Sequence, residues 1–165
     1  FPIVEPLIMK SASRIMSLRD GQKKMSKSDL SDFSRLNLND DEKTLATKIK
    51  KARTDSKPVP DGSIEGGDRA SRPEAFNLME IYSALNDQAM PDVQVAFGGK
   101  PFSIFKEALT EVVLEKLGPI KKEMERLLKD KVYVEGVLSQ GAVRARKIAI
   151  PVREDLFKII GFIQD

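Results

Sequence analysis

The segment 21–29 is rich in side chains that can bind phosphate. Within six consecutive positions this segment carries three lysines and two serines. Lys24 and Lys27 can approach one polyphosphate from two sides, while Ser26 and Ser28 donate hydrogen bonds between them. At about 4 Å, a lysine–phosphate pair is worth about 4 kcal/mol in a partly shielded site but only about 1 kcal/mol in open water. We therefore expect the segment to close over its ligand when it acts.

Two further residues shape this loop. Gly21 tolerates backbone angles that other residues resist, so it is a predicted hinge. Met25 is the one apolar residue among the lysines and serines, and it is predicted to pack against the protein body or a nucleobase. The alternative for any short run of lysine and serine is a solvated basic turn.

The composition excludes several classes of site. With 41% hydrophobic and 32% charged residues, the chain of 165 residues reads as a soluble globular protein. It has no cysteine and no histidine. Disulfides, thiolate nucleophiles, Ser-His-Asp triads and zinc sites are therefore excluded, and no protein metal site is assigned. No apolar stretch is long enough to cross a bilayer, so we expect an intracellular protein without a membrane segment.

The first predicted helix spans residues 40–53. Asn39 and Glu42 have the spacing of a capping box, and an apolar stripe follows at Leu45, Ile49 and Ala52. The late turns are basic. The helix dipole and solvent explain these cations better than contact with RNA phosphate, which stays the alternative; they are Lys48, Lys50, Lys51 and Arg53.

Residues 54–72 are rich in proline and glycine and lack periodicity, which predicts a long, exposed and mobile loop. A core helix over 74–86 follows, with Ser71 as its cap and Pro73 in its first turn. The segment 91–97 is compatible with a short helix or a strand-like run.

The remainder is also predicted to be helical. An apolar side runs from Phe102, with a kink or break at Gly118-Pro119. Two helices then cover 132–139, ending at Gly141, and 142–162, with a kink at Pro151. The residues predicted to face inward in the last helix are Ile148, Leu156, Ile159 and Ile160. From residue 40 onward we therefore predict an all-helical bundle.

Several segments of the chain match a known family in the same order. Residues 24–28 read KMSKS letter for letter, residues 14–18 read RIMSL, and residues 1–8 fit the pattern FP-x-x-EPLI. Further matches are Lys48-Ile49, Thr54-Asp55-Ser56, Asn77 to Tyr82, Gly141-Ala142 and Arg144-Ala145-Arg146. On these motifs the chain resembles the tryptophanyl-tRNA synthetases, which are class I aminoacyl-tRNA synthetases. The resemblance covers nearly the whole chain.

The resemblance implies a domain organisation. Residues 1–39 correspond to the end of a Rossmann-like α/β catalytic domain with the KMSKS loop, and residues 40–165 to an α-helical domain that binds the tRNA anticodon. The second motif of the class, a HIGH-type sequence, cannot be present because the chain has no histidine. We therefore expect this chain to be the carboxyl-terminal part of a longer enzyme, with a mainly α fold.

The resemblance also implies activity and site residues. ATP would activate L-tryptophan to the aminoacyl-adenylate, which then reacts with tRNA(Trp), with Mg²⁺ held on the phosphates by phosphate oxygens and water. Lys27 and Lys24 would be catalytic, and the ATP-binding set would be Ile15, Lys24, Met25, Ser26, Lys27 and Ser28. The candidates for tRNA binding are Arg144, Arg146 and Lys147, and less strongly Lys121 and Lys122; a solvated charged face is their alternative. The family implies a homodimer in the bacterial cytoplasm, or alternatively in the mitochondrial matrix.

Three rival functions stay open at this point. Tyrosyl-tRNA synthetase shares the class and a similar loop, and the residues that would read the amino acid lie outside this sequence. Two hypotheses without catalysis are a helical RNA-binding module and a purely structural helical domain. Salt-sensitive binding of tRNA would separate the RNA-binding module from the structural domain.

Overall fold

The computed structural model describes residues 3–8, 12–64 and 66–161, and they are mainly helical. The helices are α1 (Glu42–Lys50), α2 (Pro73–Asn86), α3 (Met90–Phe97), α4 (Phe102–Lys129) and α5 (Lys131–Ile160). Among the described residues, extended pairing is limited to one antiparallel bridge between Met16 and Lys24. The predicted mainly α fold is confirmed. None of the described helices has the length and apolar character that crossing a membrane requires.

The chain divides into two compact units, Phe1–Lys121 and Lys122–Asp165. The first contains the core, to which α1, α2, α3 and α4 each contribute one apolar face. The fully buried apolar residues on these helices are Ile49, Ala75, Leu78, Met79, Val93, Phe105, Leu109 and Val113. The predicted boundary between a catalytic domain ending at residue 39 and a tRNA-binding domain beginning at residue 40 stays a prediction.

Aromatic rings join three helices within this core. Phe105 of α4 lies 5.1 Å from the ring of Phe97 on α3 and 5.7 Å from the ring of Tyr82 on α2. The edge-on arrangement of Phe97 against both neighbours is the favourable geometry for aromatic pairs. α2, α3 and the first half of α4 therefore form one packed body.

The start of α1 differs from the predicted capping box. Asp41, rather than Asn39, is the N-cap, and its carboxylate accepts a hydrogen bond from Thr44 N at 2.6 Å. The helix begins at Glu42 and ends at Lys50, inside the predicted range of 40–53. Asp41 caps the helix in place of Asn39 because its carboxylate reaches an amide of the first turn that would otherwise be unpaired.

α2 agrees with its predicted range to within a residue, but Ser71 does not cap it. The N-cap is Arg72, and the hydroxyl of Ser71 instead bonds Asp68.

In the loop before α2, Val59 is buried, and its N–H donates to Lys100 O at 2.9 Å. The prediction of an exposed loop is therefore wrong for residues 59 and 60, because Val59 is apolar and closes into the core.

Arg72 organises this loop. Its guanidinium is 5% exposed and makes two hydrogen bonds of 2.8 Å to the carboxylate of Asp55. It also donates to Gly66 O at 2.8 Å and to Pro58 O at 2.7 Å. Burial raises the pKa of Asp55, but the hydrogen bonds from Arg72 outweigh it and lower that pKa below its usual range. One side chain thus ties both limbs of the loop together.

The long helices run through the predicted interruptions. Residues 91–97, left open between helix and strand, are helical in α3. α4 continues through Gly118-Pro119 without a break, and α5 continues through Gly141, so the predicted helix end at Gly141 is wrong. The kinks predicted at Gly118-Pro119 and at Pro151 stay predictions. One proline costs about 3 kcal/mol in a helix interior, which the intact turns on both sides offset. The predicted end of the last helix at Phe162 lies outside the described residues.

The second unit buries little of its own surface. No residue between 122 and 161 is buried, and Ile148 and Ile159 are 73% and 82% exposed. Ile160 is exposed too, and Leu156 is half-buried. The predicted inward orientation of the isoleucines is therefore wrong, because a helical period shows which residues share a face but not what covers that face.

Candidate functional site

The lysine–serine loop rises from a short antiparallel pairing. Ser17 N donates to Lys23 O at 2.8 Å, and Met25 N donates to Ile15 O at 3.0 Å. Ile15 and Met25 are partly buried and pack against the core. The predicted packing of Met25 against the protein body is therefore confirmed, and the pairing fixes the backbone of two residues of the predicted ATP-binding set.

Beyond Met25 the chain makes an exposed turn. Asp29 N donates to Ser26 O at 3.3 Å, which closes a turn with Lys27 and Ser28 at its tip. The hydroxyls of Ser26 and Ser28 lie 2.9 Å apart and bond each other. Lys24, before the turn, is exposed, as is Lys27. The structure thus presents two ammonium groups and two hydroxyls on one short exposed segment.

Gly21 is constrained by packing rather than by an unusual φ. It lies outside the set of glycines with positive φ, so it uses no left-handed backbone angle in this structure, and its role as a hinge stays a prediction. A Cβ at this position would lie 2.6 Å from Glu74 N and 2.7 Å from the carbonyl carbon of Pro73. Glycine is required because the chain passes against the start of α2.

Two side chains of α2 hold the base of the loop, and sequence analysis assigned a role to neither. Glu74 Oε1 accepts from Gly21 N at 3.4 Å. Asn77 is 1% exposed, accepts from Met16 N at 2.8 Å and donates to Met16 O at 2.9 Å. The available signal was an asparagine among the apolar positions of the core-facing helix.

The segment after the loop is held by a buried ion cluster. Lys48 of α1 is 1% exposed, and its Nζ lies 2.6 Å from a carboxylate oxygen of Asp32 and 2.6 Å from one of Asp40. Asn37 donates from Nδ2 to both carboxylates, at 3.1 and 3.2 Å. Arg35 bonds Asp29 O, at the end of the loop, at 3.1 Å. Residues 29–40 therefore form a braced segment on α1.

The charges of this cluster stabilise one another. Burial disfavours the charged form of Lys48, but hydrogen bonds from its ammonium to the two aspartates outweigh burial and raise its pKa. Burial raises the pKa of Asp40, but hydrogen bonds from Lys48 and Asn37 lower it by a larger amount. The pKa of Asp40 is therefore below its usual value. The interpretation of Lys48 as a solvated cation at the helix end is therefore wrong.

Two of the other three cations near the end of α1 have local partners as well. Lys51 lies over the ring of Phe33, 5.0 Å from its centroid, and Arg53 is 3.5 Å from Glu74. Lys106 of α4 meets carbonyl groups at and just beyond the end of α1, because its Nζ donates to Lys50 O at 3.3 Å and to Ala52 O at 2.8 Å. Burial lowers the pKa of Lys106.

The three predicted tRNA-binding residues all lie on α5 and are exposed. Helical geometry turns the chain by about 100° per residue, so Arg144 and Lys147 share a face while Arg146 points away from it. Of the weaker candidates, Lys121 donates from Nζ to Asp40 O at 3.0 Å, and Lys122 is exposed. The structure thus groups two of the three main candidates on one face.

The chemistry open to the loop is electrostatic. Exposed lysines and hydroxyls can bind and polarise a phosphate group, but they supply no general base. Within residues 3–8, 12–64 and 66–161, the structure shows no cluster of three carboxylates that could hold a metal ion.

Known proteins match this chain in sequence. The family profile described as tRNA synthetases class I (W and Y) matches residues 1–97. The tryptophan–tRNA ligase of Agrobacterium fabrum is 51% identical over 164 residues, which is 99% of this chain and 46% of that protein. The ligase of Caulobacter vibrioides is 44% identical over 162 residues, with 98% and 46% coverage. The chain thus spans about half the length of the curated relatives it matches.

Solved structures agree with these relatives. Tryptophanyl-tRNA synthetase from Mycoplasma pneumoniae matches with a TM-score of 0.79 at 25% identity, over 94% of this chain and 47% of that one. The enzyme from Campylobacter jejuni, solved in complex with ADP and tryptophan, matches with a TM-score of 0.62 at 25% identity, over 90% and 43% of the two chains. This chain therefore belongs to the class I tRNA synthetases, in the family of the tryptophan and tyrosine enzymes.

Proposed function

We propose that this chain is the carboxyl-terminal part of a tryptophan–tRNA ligase and that its lysine–serine loop binds the phosphates of ATP. The observation that carries the proposal is the exposed turn at residues 26–29, with Lys24 and Lys27 on one short segment above the Ile15–Met25 pair. The identity of 51% to a tryptophan–tRNA ligase supports tryptophan over tyrosine as the amino acid.

The proposed mechanism begins with attack of the tryptophan carboxylate on the α-phosphate of ATP. Pyrophosphate leaves, and negative charge builds on its oxygens. Lys27, at the tip of the turn, and Lys24, before it, stabilise that charge in the transition state. The main-chain groups at Met25 and the side chain of Ile15 lie beside the adenine. Mg²⁺ would enter with ATP, held by phosphate oxygens and water, and would help to neutralise the charge on the phosphates.

The serine hydroxyls have a linked role. Ser26 and Ser28 bond each other at 2.9 Å. A phosphate oxygen that accepts from both hydroxyls must break this bond, so binding ATP remodels the turn. Closure of the turn removes water from around the lysines and strengthens their attraction to the phosphates.

The second half of the reaction transfers the tryptophanyl group to tRNA(Trp). Arg144 and Lys147 on one face of α5, and Arg146 on a different face of the same helix, are the proposed contacts to RNA. Arginine and lysine neutralise phosphate, and arginine also stacks on unpaired bases. As part of the same proposal, the full enzyme is a homodimer in the cytoplasm of a bacterium, in line with its bacterial relatives.

The test is pyrophosphate–ATP exchange by the full-length product of the gene that encodes this chain. Tryptophan and tyrosine are offered separately, and Lys27→Ala is measured beside the wild type. Removing one such donor typically costs about 3 to 4 kcal/mol of transition-state stabilisation. We therefore expect exchange with tryptophan alone and a loss of at least about 100-fold in the variant.

Lys23→Ala is the matched control. Lys23 is exposed, and its ammonium lies 3.7 Å from a carboxylate oxygen of Asp20. We expect this variant to keep its exchange rate within about twofold. Exchange driven by tyrosine would move the assignment to the sister enzyme, and exchange with neither amino acid would leave a helical RNA-binding protein.

A further inference from the structure

Asn77 stands in for a missing strand at the base of the loop. In the pairing of residues 15–17 with 23–25, Ile15 and Ser17 bond the second limb, so Met16 points its N–H and C=O to the other edge. There the side chain of Asn77 accepts from Met16 N at 2.8 Å and donates to Met16 O at 2.9 Å. Its amide thus completes the pairing that a neighbouring strand would supply.

The backbone N–H and C=O of Met16 allow the side-chain amide of Asn77 only one orientation. The N–H of Met16 can only donate and its carbonyl can only accept, so Oδ1 of Asn77 must face the first group and Nδ2 the second. At 1% exposure, no bulk water can replace either contact. Other residue types therefore leave at least one backbone group of Met16 unpaired or misaligned in a buried site.

We propose that Asn77 is a positioning residue for the nucleotide loop, acting through the backbone of Met16. The bond from Met25 N to Ile15 O is one residue away, and Lys24 forms the bridge with Met16 itself. A shift of Met16 therefore moves the groups proposed to meet the adenine and the first lysine together. This inference rests on the proposed function of the loop.

A second contact from α2 fixes the other end of the same hairpin. Glu74 Oε1 meets Gly21 N at 3.4 Å, and Gly21 passes against the backbone of Pro73 and Glu74. α2 thus touches the hairpin both at Met16 and at Gly21. Because α2 is a core helix, the loop takes its position from the helical body rather than from its own short pairing.

The test compares Asn77→Asp with Ser83→Ala in the full-length gene product. The carboxylate of Asn77→Asp still accepts from Met16 N but repels Met16 O. We expect the KM for ATP in pyrophosphate exchange to rise about tenfold, with the KM for tryptophan within twofold. Ser83 is a buried polar residue of the same helix, and its hydroxyl donates to Gln88 O at 2.5 Å, a contact beyond the carboxyl end of α2 rather than with Met16. Ser83→Ala should lower the melting temperature but leave both KM values unchanged.

Amide hydrogen exchange gives a readout that does not depend on activity. In the Asn77 variant the peptide over residues 14–26 should lose protection, while peptides of α3 and α4 keep it; in Ser83→Ala the loop peptide should keep it. If Asn77→Asp does not fold, Asn77→Ala carries the same test, since its small side chain also leaves Met16 unpaired.

The outcomes separate the two proposals. Unchanged protection of residues 14–26 in the Asn77 variant would overturn the positioning role, whatever the activity. An unchanged KM for ATP in a protein whose exchange depends on Lys27 would also overturn it, while the proposed function stands. Absence of exchange in the wild type, together with the expected loss of protection, would overturn the ATP function alone.

Discussion

Replacing Lys48 by methionine tests the ion cluster that braces the segment after the loop. Methionine keeps an unbranched apolar stem of similar length but removes the ammonium that lies 2.6 Å from both Asp32 and Asp40. Breaking a buried ion pair by removing one partner costs about 3 to 5 kcal/mol, because the other charge is left uncompensated. The side chain of Asp32 is 52% exposed and can regain water, whereas that of Asp40 is 11% exposed and cannot.

The expected cost therefore lies at the lower end of that range, at about 3 kcal/mol in the free energy of unfolding. For a unit of this size, such a loss lowers the melting temperature by roughly 10 °C. Urea unfolding followed by circular dichroism measures it directly. Lys43→Met, at an exposed position of the same helix, is the control and should stay within about 0.5 kcal/mol of wild type.

A double variant isolates the pair. In Lys48→Met with Asp40→Asn, the buried partner is neutral and only the half-exposed carboxylate of Asp32 stays beside the methionine. The double variant should therefore be about 1 to 2 kcal/mol more stable than the sum of the single effects predicts. Full additivity of the single variants, or a loss below about 0.5 kcal/mol in Lys48→Met, would refute the reasoning, because either result means that Asp40 is satisfied without Lys48.

The same variant changes the response to pH. In the wild type the pKa of Asp40 is lowered by its partners against the effect of burial. Stability from this group is thus present above the unfolded-state pKa of about 4 and is lost as the pH falls through the folded-state value. In Lys48→Met burial acts without that partner and raises the pKa. The gap in stability between the two proteins should therefore narrow as the pH falls from about 6 to about 3.

Two further predictions concern the loop and the RNA surface. Gly21→Ala places a Cβ about 2.6 Å from Glu74 N, and we expect a loss of about 1 to 3 kcal/mol in stability by urea unfolding; a neutral effect would mean that the chain does not pass as close to α2 in solution. Replacing Arg144, Arg146 and Lys147 together by alanine should weaken tRNA binding in a filter assay and reduce the slope of log K against log salt by about 2. Lys131→Ala with Lys158→Ala on the same helix is its control, and an unchanged slope would remove α5 from the RNA surface.

The core of α2 shows how far periodicity alone can reach. Ala75, Leu78 and Met79 recur at the spacing of a core-facing helix, and all three are buried in the structure. Their spacing is a local property, since neighbouring turns bring the residues to one face. The same is true of the loop, where the identity and order of residues 24–28 are readable without any knowledge of the fold.

Lys48 shows what local patterns leave out. It lies on the same face as Leu45, Ile49 and Ala52, so the period itself places it among buried residues. The pattern could not show that it is neutralised, because its partners, Asp32 and Asp40, precede the helix. A lysine on an apolar stripe is therefore a signal for a buried ion pair, but its partner emerges only with the fold.

Helix breakers were overestimated for a related reason. Gly141 and Pro151 carry known local penalties, and the sequence-based prediction ended a helix at Gly141, through which α5 continues. In α5 each penalty is a fixed local cost, whereas the hydrogen bonds of a helix of 30 residues accumulate along its length. The position of a breaker within a long helix therefore matters more than its presence.

The guanidinium of Arg72 determines where this chain can change its length. Its contacts to Asp55, Pro58 and Gly66 fix the two limbs of the connection between α1 and α2. The tip at residues 61–64, between those limbs, is exposed and is hydrogen-bonded mostly within itself. An insertion at the tip leaves every bond of Arg72 intact, whereas one between Asp55 and Pro58 separates groups that must meet around a single side chain. Relatives of this chain should therefore differ in length at the tip of this connection and agree in length along its limbs.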